Sequence, residues 1–140
     1  MSKYLIIIVF FSFSGNAQNI LGKWITVDGE TKEKKAIVEI YKKDKKVFGK
    51  IIEIFDKSKK YLPCIYCTGS DYNKPILGLE IIKNMQKDKE YYRKGTVINP
   101  SNGKIYKLRL SLDKDNTDVL QVRGYIGFLY RTQYWERLKK

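Results

Sequence analysis

Lys104-Ile105-Tyr106-Lys107-Leu108-Arg109-Leu110-Ser111-Leu112-Asp113 decides the fold class of this chain. Tyr106, Leu108, Leu110 and Leu112 alternate with Lys107, Arg109 and Ser111, the period of two expected of a strand with one buried face and one wet face. Upstream, Asn99-Pro100-Ser101-Asn102-Gly103 joins this segment to Tyr91–Ile98. Pro, Asn and Gly there supply the fixed and positive φ values of a tight turn, so the two segments are predicted to form an antiparallel hairpin.

Six further segments have the length and the β-branched or aromatic content of strands: Gly22–Val27, Lys35–Lys42, Val47–Phe55, Leu77–Asn84, Val119–Arg123 and Phe128–Arg137. No window of the chain beyond its first residues carries a persuasive helical period. Eight strands joined by short polar separators pair with their sequence neighbours. Two packed sheets or one closed barrel satisfy that pattern. An all-β, eight-stranded antiparallel up-and-down barrel is the favoured architecture, because closure removes both exposed edges and leaves an interior wide enough for side chains or one small ligand. Residues 56–75 form the one long loop, of a length that is usually functional or mobile.

The N-terminus points to export. Lys3 precedes an almost unbroken apolar run from Tyr4 to Phe13, and Gly15-Asn16-Ala17 has the small residues a signal peptidase cuts after. Residues 1–17 are expected to be a cleaved signal peptide and residues 18–140 the mature domain. The apolar run is too short for a bilayer core of about 30 Å, and no later stretch approaches a transmembrane span. A periplasmic or secreted protein of a Gram-negative bacterium is expected. Of 140 residues, 123 remain after processing, enough for one domain with a core of its own.

Lys and Arg outnumber Asp and Glu by 28 to 15, a net charge of +13 that becomes +12 once Lys3 is removed. The positive residues gather at turns, as in Lys42-Lys43-Asp44-Lys45-Lys46 and Lys57-Ser58-Lys59-Lys60, and read first as solvated turns. Outside the cytoplasm the relevant partner for such clusters is an anionic envelope surface rather than nucleic acid.

Gly22-Lys23-Trp24, Cys64-Ile65-Tyr66-Cys67, Pro75-Ile76-Leu77-Gly78-Leu79, the run from Gly95 to Tyr106, Val122-Arg123-Gly124-Tyr125 and Arg131-Thr132-Gln133-Tyr134-Trp135 together resemble the DUF2147 family of small exported bacterial proteins. The resemblance spans nearly the whole mature chain and implies a lipocalin-like barrel, an extracytoplasmic location and no established activity. Two positions depart from the family pattern: Asn99 stands where Asp is frequent, and Tyr130 where Gly is usual. Gly22-x-Trp24 is similar to the first-strand motif of lipocalins, in which an indole closes one end of the barrel beneath an arginine of the last strand. The resemblance implies a barrel-closure role for Trp24 with Arg131 or Arg137, a cation–π contact worth about 0.5 to 2 kcal/mol.

Cys64 and Cys67 are the only cysteines, and an oxidising compartment favours joining them. A structural disulfide leads; a thiol–disulfide redox site is the sharper alternative. Zinc would lack half its ligands, since the chain has no His. The same lack removes Ser-His-Asp and Cys-His mechanisms. Glu39 and Glu53 lie in apolar strands as candidates for an acid–base pair, although sequence spacing does not bring them together. There is no phosphate-binding glycine loop, and no cofactor or metal is expected.

The leading expectation is a monomeric, non-catalytic barrel that binds a small apolar molecule, or an envelope factor, with Tyr106, Leu108, Leu110 and Leu112 as candidate cavity lining. The alternatives are a redox protein built on Cys64 and Cys67, and a basic protein that meets anionic envelope surfaces.

Overall fold

The computed structural model describes residues 5–8 and 19–139. Apart from the exposed residues Leu5 to Ile8, the expected signal peptide lies outside the described residues, as does its cleavage point. Eight strands follow in order: β1 (Gly22–Val27), β2 (Lys34–Lys43), β3 (Lys46–Ile54), β4 (Glu80–Asp88), β5 (Tyr91–Ile98), β6 (Ile105–Leu112), β7 (Val119–Ile126) and β8 (Leu129–Arg137). Each pairs antiparallel with its sequence neighbours, and β1 pairs with β8 to close the barrel.

The alternation in β6 decides which side chains turn inward. Leu108 faces Gly95 on one side and Gly124 on the other, and Leu110 faces Tyr92 and Val122. Continuing this register around the ring sets Trp24 opposite Val38, Ile40 opposite Gly49, and Leu120 opposite Trp135. Trp24, Val38, Ile82, Met85, Leu110 and Leu120 are fully buried, and with Ile40, Leu108 and Trp135 they fill the waist of the barrel. The outer face is less wet than alternation alone suggests. Ser111 is buried, Arg109 donates to Gln121 at 2.8 Å, and the Arg109 guanidinium lies over the Tyr91 ring.

Turn chemistry explains two of the corners. Asp44 and Lys45 both take positive φ, as a two-residue type I′ hairpin requires, so β2 and β3 extend to Lys43 and Lys46. Between β7 and β8 the turn shrinks to Gly127-Phe128, with Gly127 at φ +57°. β7 therefore runs on through Gly124 and Tyr125, which the sequence pattern left in a separator. Gly124 pairs with Leu108 on one side and Arg131 on the other, and a Cβ there would stand in contact with Tyr106 at 3.4 Å.

The long loop is built rather than loose. Cys64 N–H donates to Lys74 O at 2.7 Å, Ile76 N–H to Leu62 O at 3.0 Å and Asn73 N–H to Cys64 O at 2.9 Å, so its two arms pair with each other. Its 3-10 turn, Gly69–Asp71, is tied to β4 by the ion pair of Asp71 with Lys83 at 2.5 Å. Gly103 completes the seat: a Cβ there would stand 2.0 Å from the Tyr66 carbonyl oxygen, so only glycine lets the β5–β6 turn approach the loop.

Candidate ligand-binding site

A cavity of about 630 Å³ opens at the end of the barrel where the β2–β3, β4–β5 and β6–β7 turns gather. Ile20, Leu21, Val47, Met85, Tyr92 and Leu112 form its apolar floor, while Lys42, Lys45, Lys87, Lys89 and Lys114 stand around it with Glu90 and Asp113. Burial pushes the Tyr92 phenol above its ordinary pKa, so this ring stays neutral at any physiological pH. A second hollow of about 430 Å³ lies on the outside, between the long loop and β4. Its acids are already engaged, Asp71 by Lys83 and Lys74 and Glu80 by Lys43.

One wall of the larger cavity is the stretch Asn19 to Leu21, and its position is set by Trp24 and Arg137. Trp24 Nε1 donates to Ile20 O at 2.8 Å. Arg137 Nη2 donates to Asn19 O at 3.0 Å and Thr117 O at 3.1 Å, Nη1 donates to Leu21 O at 3.4 Å, and Nε lies 3.2 Å from Asp118 Oδ1. The guanidinium covers the Trp24 ring, 4.3 Å from its centroid. These charged contacts, with Lys139 first and Arg137 after it, hold the Asp118 carboxyl below its usual range. Trp24 faces Arg137 because these two residues pair across the β1–β8 seam.

Arg131, the other arginine offered for closure, sits elsewhere. It pairs with Gly124 near the opposite end of β8 and reaches only Glu30 at 3.9 Å, with its side chain 90% exposed. The period of two puts both arginines in one phase of β8, and only the seam register distinguishes them. Of the four β6 residues, Leu112 alone lines the larger cavity. Leu108 and Leu110 are consumed by the packed waist, and half-buried Tyr106 lies beside Gly124.

Cys64 and Cys67 stand at disulfide distance, S–S 1.96 Å, with Cα atoms 5.4 Å apart. Both are buried, and Cys64 Sγ lies 3.9 Å from the carbonyl oxygen of Pro100. Glu39 and Glu53 do not converge. Glu39 faces Lys50, 3.8 Å away, and exposed Glu53 pairs in register with Ile37. Among the described residues no group of three or more His, Cys, Asp or Glu side chains is placed to hold a metal.

The lysines around this cavity were not placed together by the sequence reading, which took the basic clusters first as solvated turns and otherwise as a contact for anionic envelope surfaces. Strand parity carried the signal. Lys42 comes two residues after inward Ile40, and Lys87 two after inward Met85.

A closed ring of eight antiparallel strands, entered through Gly22-x-Trp24 and sealed against an arginine of the last strand, is a lipocalin-like barrel. Its fold is shared by HP1028 of Helicobacter pylori, a member of the lipocalin family, with a TM-score of 0.74 and 20% identity over 87% of this chain and 84% of that one. The chain belongs to the DUF2147 family, uncharacterised proteins conserved in bacteria, which it matches over residues 22–137. No curated protein matches it.

Proposed function

We propose that this chain is an exported, monomeric, non-catalytic binding protein that holds a small, largely apolar molecule in the cavity beside Leu112. The observation that carries this reading is the cavity itself. At about 630 Å³ it falls within the range of roughly 300 to 1,000 Å³ typical of small-molecule sites, and its apolar floor continues into the barrel core. The lipocalin-like fold fits such a role, although fold alone never assigns one.

The redox alternative has less support. Exchange needs a thiolate to reach a disulfide sulfur, and both sulfurs are buried under the loop they close. The alternative of docking to anionic envelope surfaces rests on the basic turns, and binding to acidic vesicles that ignores salt would remove it.

Titration of the mature protein with the neutral fluorophore N-phenyl-1-naphthylamine tests the leading reading. Saturable enhancement that is lost in Leu112→Asp supports it. No enhancement, or enhancement equal in the variant, overturns it.

A further inference from the structure

The lysines of the barrel's outer face and those of its mouth are treated differently. On the outside, Lys43 pairs with Glu80 at 3.3 Å, Lys50 with Glu39 at 3.8 Å and Lys83 with Asp71 at 2.5 Å. At the mouth, Lys42, Lys45, Lys87, Lys89 and Lys114 enter none of the ion pairs among the described residues. Two of them are rooted in the inner face: Lys42 is opposite Val47, and Lys87 is opposite Tyr92. Asp113 is one of only two acids among the lining residues, and its Oδ1 is already occupied by the backbone N–H groups of Asp115 and Asn116.

Five lysines against two carboxylates leave a balance of +3 above an apolar floor. Low-dielectric walls concentrate such a field at the opening. A neutral apolar ligand makes no use of it. A molecule that buries a chain against Met85 and Leu112 and ends in an anion uses both halves of the site, because the anion stays near water while its charge meets Lys42 and Lys87.

We infer that the ligand class of this cavity is a single-chain amphiphile with an acidic head group, its chain on the floor formed by Val47, Met85 and Leu112 and its head between Lys42 and Lys87. This deepens the apolar-ligand reading and rests on it. The head group is a carboxylate or a phosphate monoester, and the two are separated by experiment.

Isothermal titration of the mature protein with dodecanoate, dodecyl phosphate and dodecan-1-ol, all below their aggregation limits, is the test. The alcohol reports the pocket alone, and the two acids report pocket and lysines together. At least one acid is expected to bind about tenfold or more tightly than the alcohol at low salt. That preference should shrink to about threefold or less in Lys42→Gln/Lys87→Gln and at high salt. The better of the two acids names the head group. Both side chains are exposed, so the variant is expected to keep the wild-type melting curve. Equal affinity for alcohol and acids, or a preference that survives in the variant, overturns the acid-head inference and leaves the pocket intact. Binding of none of the three overturns both.

Discussion

Arg137 and Trp24 face each other across the one seam that closes the barrel, with the guanidinium carbon 4.3 Å from the ring centroid. The same pair fixes Asn19, Ile20 and Leu21 through backbone carbonyls, so barrel closure and the shape of the cavity wall depend on one contact. Trp24→Ala should cost about 3 to 5 kcal/mol in urea unfolding, the range for emptying a fully buried aromatic site. Arg137→Lys should cost about 1 to 3 kcal/mol, since an ammonium lacks the planar fork that reaches three carbonyls and stacks on the indole. Arg131→Ala should stay within about 0.5 kcal/mol of wild type. A larger loss at position 131 than at 137 would reverse the assignment.

The β5 strand passes β4 more closely than any side chain permits. A Cβ on Gly95 would lie 2.2 Å from Lys83 O and 2.8 Å from Met85 N, both backbone atoms that cannot step aside singly. Gly95→Ala should therefore destabilise by about 3 kcal/mol or more and displace Met85 from the cavity floor. Denaturant melts with and without N-phenyl-1-naphthylamine would show both effects; a loss below about 1 kcal/mol would mean that the strands separate freely.

The disulfide closes a ring of four residues, for which chain entropy gives about 2 kcal/mol. Replacing both cysteines by Ala should cost about that much and leave cavity binding unchanged. Burial should also slow reduction. Native protein in dithiothreitol is expected to resist thiol labelling until denaturant is added. Rapid labelling without denaturant would return the redox reading to the front.

The hydrogen bond from Lys83, reinforced by Lys74, holds the Asp71 carboxyl below its ordinary pKa. A depressed acid contributes stability that is present above its unfolded pKa and lost as pH falls through its folded one. Anchoring of the long loop should therefore be constant near neutral pH and weaken below about pH 4. Hydrogen exchange at the Cys64 and Asn73 amides would follow it. In Asp71→Asn those amides should exchange faster at neutral pH and lose their acid-dependent step.

Much of the architecture was legible because a period of two repeats along the chain. Lys104 to Asp113 marked β6, and the polar separators marked the remaining boundaries to within a few residues. The turn chemistry was less visible. Gly124 looks like a separator from sequence, yet it is paired on both sides, with Leu108 and Arg131, and the Gly127-Phe128 turn is tighter than its composition suggests. Register across the β1–β8 seam, which selects Arg137 over Arg131, depends on tertiary closure. The cavity was the least legible feature. Alternation identifies Leu108, Leu110 and Leu112 as inward but does not say that the waist packs solid around the first two while the third reaches the open end. The same alternation continues into Lys42 and Lys87, where composition alone reads a solvated turn.

Methyl and amide NMR of the mature protein, titrated with dodecanoate, tests the ligand site most directly. Saturable shifts are predicted at the methyls of Val47, Met85 and Leu112 and at the amides of Lys42 and Lys87, with Leu62, Ile105 and Leu129 at the other end unmoved. Shifts confined to that other end, or none at saturating ligand, would contradict the assignment of this cavity as the binding site.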